Sequence, residues 1–288
     1  DCDDADDDIN PDAEEICNDG IDNDCEATFA SCTMSLSEAD VILTGESSLD
    51  DAGVSFAGIG DLDGDGSDDL VIGARNNDAA GTDAGAVYLF NGPLPSGTVA
   101  GLGTADLVIV GGSASDRFGR SVAGGTDLDG DGIDDLVVSA PNDSEDGSSS
   151  GTTYVFSGAD LIGATSLSAS DAFVRFNGRT GFDYLGIQVA LGDVSGDGQA
   201  DLLMAATGND DGVSNGGAIY IYEGPITATG QVRVRDATYT ARITGEGASD
   251  QVGGSANING DVDGDGVDDL IVGVTNDSTV GSTAGAAY

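Results

Sequence analysis

The chain repeats itself. A nine-residue segment, Asp-x-Asp-Gly-Asp-Gly-x-Asp-Asp, begins at Asp61, Asp127 and Asp261, and a looser copy begins at Asp193. The starts are 66, 66 and 68 residues apart. Around each copy the same parts follow in the same order. A short Gly-containing strand comes first, such as Phe118-Gly119-Arg120-Ser121-Val122-Ala123, and then the Asp-rich loop. An apolar run follows: Leu70-Val71-Ile72, Leu136-Val137-Val138, Leu202-Leu203-Met204 or Leu270-Ile271-Val272. After a polar loop lies an alternating strand such as Ala86-Val87-Tyr88-Leu89-Phe90 or Ala218-Ile219-Tyr220-Ile221-Tyr222. A last strand such as Leu107-Val108-Ile109-Val110 leads into the next repeat. The runs are short, β-branched or aromatic, and bounded by turn residues, which is strand chemistry. No segment keeps a helical period. Four short strands per repeat make one blade of a β-propeller. A lone blade leaves both faces bare, so neighbours must stack. The expected fold class is therefore all-β, a propeller of four-stranded blades with four repeats visible.

The Asp-rich loops have the chemistry of a hard-cation site. Calcium takes six to eight oxygens from carboxylates and backbone carbonyls. In the first loop the expected ligands are Asp61, Asp63, Asp65, the Ser67 carbonyl and Asp69, with Asp68 turned to solvent. The second offers Asp127, Asp129, Asp131, the Ile133 carbonyl and Asp135, and the fourth Asp261, Asp263, Asp265, the Val267 carbonyl and Asp269. Position 7 varies freely, as a carbonyl ligand allows. The third loop has Asp193, Ser195, Asp197, the Gln199 carbonyl and Asp201; with Ser195 in place of a carboxylate it is expected to be the weakest. Ca2+ is the expected cofactor. Magnesium prefers to keep its waters, and transition metals find no His or thiolate in these loops.

These repeats resemble the FG-GAP repeats of integrin α-subunit propellers and of many bacterial surface proteins. Phe118-Gly119 matches the "FG", and Ser139-Ala140-Pro141 the "GAP" with Ser for Gly. The other copies are looser: Ala52-Gly53 with Gly73-Ala74-Arg75, Leu185-Gly186 with Ala205-Ala206-Thr207, and Val252-Gly253 with Gly273-Val274-Thr275. The resemblance covers roughly residues 40–288. It implies a seven-bladed ring with calcium between the first and second strands of certain blades.

Residues 1–32 form a separate Cys/Asp-rich module, 33–38 a linker, and 39–288 the truncated propeller. Asp40-Val41-Ile42-Leu43 reads as the fourth strand of a blade whose other strands are absent. Either the chain is cut from a longer propeller, or this strand closes the ring by completing the last blade; the abrupt end at Tyr288 favours the cut. In the head, Asp4, Asp6, Asp8, Asn10, Asp12 and Glu15 fall at EF-hand loop positions 1, 3, 5, 7, 9 and 12, with Ile9 where Gly is usual. Asp19, Asp22, Asp24 and Glu26 form a second acidic cluster. Cys2, Cys17, Cys25 and Cys32 suggest two disulfides in any of three pairings, and hence an extracellular or cell-surface location. The stretch resembles an Asp/Cys-rich metal-binding motif of bacterial surface proteins.

Charge narrows the partners. With 53 acidic residues, eight Arg and no Lys or His, the net charge is −45. Nucleic acid and anionic membrane are excluded by repulsion, and no apolar run is long enough to insert in a bilayer. The four loops hold 18 acidic residues. Four divalent ions would still leave roughly −37, so a saline habitat or diffuse cation binding must account for the remainder. Without His or Lys there is no Ser-His-Asp site, P-loop or Schiff base. Gly147-x-Ser149-x-Gly151 has the letters of a nucleophile elbow but no base nearby in sequence. The expectation is a calcium-binding, non-catalytic surface module for adhesion or for recognition of a protein or glycan. Two alternatives stand beside it: an accessory domain of a secreted enzyme, or a calcium-stiffened spacer. The polar loops 75–84, 141–151, 207–216 and 275–285 are the candidate partner loops, on the face opposite the metal.

Overall fold

The computed structural model describes residues 11, 36, 39–234, 239–258, 260–277 and 284–288. The four cysteines and Asp4, Asp6, Asp8, Asn10, Asp12 and Glu15 lie outside them. By internal contacts the chain divides into two units, residues 1–42 with 95–99, and residues 43–94 with 100–288. In the first, Asp40 accepts hydrogen bonds from the Ser96 hydroxyl (2.9 Å) and, through its carbonyl, from the Gly97 N–H (2.6 Å).

The strands are β1 (Val41–Thr44), β2 (Ala52–Gly58), β3 (Leu70–Ala74), β4 (Ala86–Phe90), β5 (Thr98–Gly101), β6 (Leu107–Val110), β7 (Val122–Thr126), β8 (Asp135–Ala140), β9 (Thr152–Phe156), β10 (Ser166–Ser168) and β11 (Val174–Asn177). They continue with β12 (Leu185–Gly192), β13 (Asp201–Ala206), β14 (Ala218–Tyr222), β15 (Gly230–Arg233), β16 (Ala241–Thr244), β17 (Val252–Ile258), β18 (Leu270–Val274) and β19 (Ala286–Ala287). One helical turn, α1 (Gly158–Leu161), follows β9.

The second unit holds four antiparallel meanders. Blade 1 is β2-β3-β4-β6, blade 2 is β7-β8-β9-β11, blade 3 is β12-β13-β14-β16, and blade 4 is β17-β18-β19. β1 pairs with β5 and does not complete the fourth sheet. The all-β expectation and the order of strands within each repeat hold.

The core lies between blades, because strand alternation gives each sheet two apolar faces. Val71, Leu89 and Leu107 of blade 1 meet Leu136, Val138 and Phe156 of blade 2. The intervening residues of blade 2, Val137 and Val155, face Leu202, Met204 and Tyr220 of blade 3. Leu203, Ala205 and Ile219 of blade 3 then meet Val252, Ala256 and Val272 of blade 4. This is why the second and third strands of blades 2 and 3 are buried at every position.

The Phe-Gly signature has a packing reason. Phe118 is fully buried, edge-on to Tyr154 at 5.4 Å. Gly119 has φ +83°, and a Cβ there would lie 2.7 Å from the Ala86 carbonyl of the preceding blade. Its counterparts Gly53, Gly186 and Gly253 share the left-handed backbone, which only glycine adopts freely.

One element escapes the four-strand reading. The connection from the third to the fourth strand carries an outer strand of its own. β10, from the blade 2 connection, pairs in parallel with β6 of blade 1. β15, from the blade 3 connection, pairs likewise with β11 of blade 2. β5 arises from the blade 1 connection and pairs with β1, so β1 has the role of a fourth strand, as its sequence suggests.

Candidate metal centre

Each Asp-rich loop joins the first strand of a sheet to its second, and each has the same internal wiring. The position 1 carboxylate collects backbone N–H groups from across the turn. Asp61 accepts from Gly64 (2.9 Å), Asp65 (3.0 Å) and Gly66 (2.9 Å). Asp127 does the same with Gly130, Asp131 and Gly132, Asp193 with Gly196, Asp197 and Gly198, and Asp261 with Gly264, Asp265 and Gly266. The two glycines of every loop take positive φ, so the backbone wraps around that carboxylate without a Cβ penalty.

Position 9 is a staple. One oxygen of Asp135 accepts the Leu128 N–H (2.8 Å) and the Asp129 N–H (3.0 Å), and the other accepts the Gly158 N–H beyond the third strand (2.8 Å). Asp69 is held by Leu62 and Gly92, and Asp201 by Ser195 and Gly224. All three are buried. Burial pushes the Asp135 carboxyl up to about 6 against the pull of those N–H groups. Asp69 and Asp201 are raised for the same first reason. At position 1, Asp261 and Asp193 go the other way. The Gly266 N–H leads in holding Asp261 below the usual carboxylate range, and at Asp193 burial is outweighed by the N–H groups of Gly198, Gly196 and Asp197. The third loop thus pairs an outer carboxylate, Asp193, held below its ordinary range with an inner one, Asp201, raised by burial.

Carboxylate oxygens converge to within 4.8 Å of one another for Asp61, Asp63 and Asp65, for Asp127, Asp129 and Asp135, and for Asp261, Asp263 and Asp265. The third loop gives no such set among the described residues. Ser195 stands where a carboxylate would, and its hydroxyl donates to Asp193 (3.3 Å). Three hard anionic oxygens at that separation suit a divalent ion held by oxygen. Asp68 is exposed, as expected. Its counterpart Asp268 instead faces the preceding blade, accepting the Asp193 N–H at 3.0 Å.

At the opposite end of the sheets a second periodic group emerges that the loop-based alignment misses. Asp50, Asp116, Asp183 and Asp250 are buried just before each first strand. Facing them after the second strand are Asn77, Asp143, Asn209 and Asp277, also buried. Tyrosines Tyr88, Tyr154, Tyr220 and Tyr288 complete the sets: Asn77 and Asn209 donate to the first and third, while Tyr154 and Tyr288 donate to Asp143 and Asp277. Asp50, Asp116, Asp183 and Asp250 stand 66, 67 and 67 residues apart, a spacing that the sequence carries but that does not separate a buried carboxylate from a solvated one. In blade 2 the Asp116–Asp143 pair lines a cavity of about 590 Å3 with Glu145 and Arg175. Burial, then Asp143, pushes Asp116 up to about 6. Ser149 sits in the loop between β8 and β9, so a strand follows where a nucleophile elbow requires a helix.

Sheets of this build, joined face to face and each bearing an Asp-rich loop between its first two strands, are propeller blades. Residues 52–90, 118–156 and 185–222 match the family described as FG-GAP repeat, and the chain is an FG-GAP-repeat, integrin-α-like module. The fourth blade follows the same plan outside those matches. Residues 1–28 match the family described as "Putative metal-binding motif", whose short name refers to copper. Integrin alpha-V of Gallus gallus is 31% identical over 230 residues, covering 78% of this chain and 20% of that protein. Integrin alpha-5 of Xenopus laevis is 39% identical over 135 residues, 45% of this chain and 12% of its own. Human phosphatidylinositol-glycan-specific phospholipase D is 30% identical over 194 residues, 63% and 22% respectively. The chain therefore spans less than a quarter of these relatives. Among the described residues no helix is long and apolar enough to cross a membrane.

Proposed function

We propose that the chain is a calcium-binding, extracellular or cell-surface recognition module without catalytic activity of its own. The observation that carries this reading is the common wiring of the four loops, three of which gather three carboxylates around one point. In the loaded protein Asp61, Asp63, Asp65 and Asp69 with the Ser67 carbonyl would hold one ion. Asp127, Asp129, Asp131 and Asp135 with the Ile133 carbonyl would hold a second, and Asp261, Asp263, Asp265 and Asp269 with the Val267 carbonyl a third. Asp193, Asp197, Asp201, Ser195 and the Gln199 carbonyl make the weakest fourth. The ion supplies positive charge where the fold has collected negative charge, fastening the hairpin of each blade. The loops at the other end then remain for a protein or glycan partner. The head, with Asp4, Asp6, Asp8, Asn10, Asp12 and Glu15, would add a further metal site, and its cysteines suit an oxidising compartment.

Thermal unfolding in millimolar calcium and in excess EGTA tests the reading. Chelation should lower Tm by about 10 °C or more; an unchanged transition would refute structural calcium sites. The phospholipase D relative favours one alternative, a propeller attached to a secreted enzyme. A catalytic domain in the same reading frame would support it.

A further inference from the structure

The residue before each loop and the residue at its position 8 form a second code, read between blades. Position 8 is Asp134 in blade 2, Ala200 in blade 3 and Asp268 in blade 4. The residue preceding the loop in the blade before is Gly60, Thr126 and Gly192 respectively. Glycine meets aspartate at two junctions, and threonine meets alanine at the third.

The geometry of the junctions explains the match. At the blade 3–blade 4 junction Asp268 and Asp193 exchange two hydrogen bonds. The Asp193 N–H donates to the Asp268 carboxylate (3.0 Å), and the Asp268 N–H donates to the Asp193 carbonyl (3.1 Å). A Cβ at Gly192 would clash first with the Ile258 side chain and would also lie 2.9 Å from that carboxylate. At the blade 1–blade 2 junction the Asp134 carboxylate occupies the place a Cβ on Gly60 would need. At the middle junction Ala200 offers no carboxylate, and the buried hydroxyl of Thr126 has no hydrogen-bond partner among the described residues.

We infer that Asp268 is a latch that couples the fourth metal loop to the third, and that the second and third loops lack this link. This rests on the calcium reading above. In chain order Asp268 lies between Val267 and Asp269, two proposed ligands of loop 4. An ion there fixes the peptide groups on either side of Asp268. Its carboxylate in turn fixes the N–H of Asp193, the residue whose side chain gathers the turn of loop 3. The weakest loop is thereby braced by its stronger neighbour, and the effect must be reciprocal in binding free energy.

Calcium titration of the 15N-labelled chain, followed at the amides of Gly196 and Gly198 in loop 3 and Gly264 and Gly266 in loop 4, tests this. In Asp268→Ala the midpoint for loop 3 should rise about fivefold, the worth of one hydrogen bond. Loop 4, which fills first, should keep its own midpoint. Asp265→Ala, which cripples loop 4, should weaken loop 3 by a similar factor and leave loops 1 and 2 alone. Thr126→Gly with Ala200→Asp should tie loop 3 to loop 2 and restore its midpoint in the Asp268→Ala background. Loop 3 titrating alike in all these chains would overturn the coupling and leave calcium binding intact. A shift of loop 4 as large as that of loop 3 in Asp268→Ala would make Asp268 a ligand and overturn it too. Amides insensitive to calcium in every loop would sink the calcium reading and the coupling together.

Discussion

At the scale of single residues, the same acid behaves differently according to what surrounds it. Asp116 is buried beside Asp143 and has its carboxyl raised to about 6. A folded-state value above the unfolded one means the folded protein holds the extra proton between about pH 4 and 6, so this group's contribution to stability falls as pH rises through that window. Asp116→Asn should therefore raise Tm at pH 7 by a few degrees and do little near pH 4. Unfolding followed by circular dichroism at both values checks it, and Asn77 and Asn209 show that an amide is accommodated in this layer at the facing position. Gly119→Ala places a Cβ in a left-handed backbone and against the Ala86 carbonyl. It should cost about 2–3 kcal/mol in urea unfolding. The loop acids were legible because alternation and repetition exposed them. Asp116 and Asp143 were not, because a buried carboxylate and a solvated one share a letter, and burial is decided by distant strands.

At the scale of elements, the hairpins were readable and the stitching between them was not. Runs such as Leu136-Val137-Val138 announce strands through composition alone. β10 is only Ser166–Ser168 and β15 is Gly230–Arg233; each has a single apolar residue packed on the core, Leu167 or Val232, too few for a periodic signature, and the rest of its hold is the backbone ladder of β6 or β11. The loops themselves allow a direct exchange. Ser195→Asp gives the third loop the donor set of the others and should tighten its calcium affinity roughly tenfold, as added ligand charge does. Calorimetric titration against the parent chain would show it, and unchanged affinity would mean the loop is limited by something other than Ser195.

At the scale of the whole molecule, charge dominates, and cations in the loops alone do not neutralise it. The net charge is −45, and the described ion pairs gather a few arginines onto acids: Arg75 with Asp51, Arg175 with Glu145, Arg233 with Asp146, and both Arg179 and Arg242 with Asp211. Self-repulsion of this size is screened by salt, whose Debye length shrinks from about 10 Å at 0.1 M to about 3 Å at 1 M. Tm of the calcium-free chain should climb steadily over that range in scanning calorimetry; a flat response would mean that repulsion is not what destabilises it. The outer strands give the molecule a direction as well. Like overlapping roof tiles, blades 2 and 3 each cover the outer edge of the blade before them. Shortening the chain past β15 would strip the cover from Val174–Asn177 and leave a raw β edge, a template for sticking to other molecules.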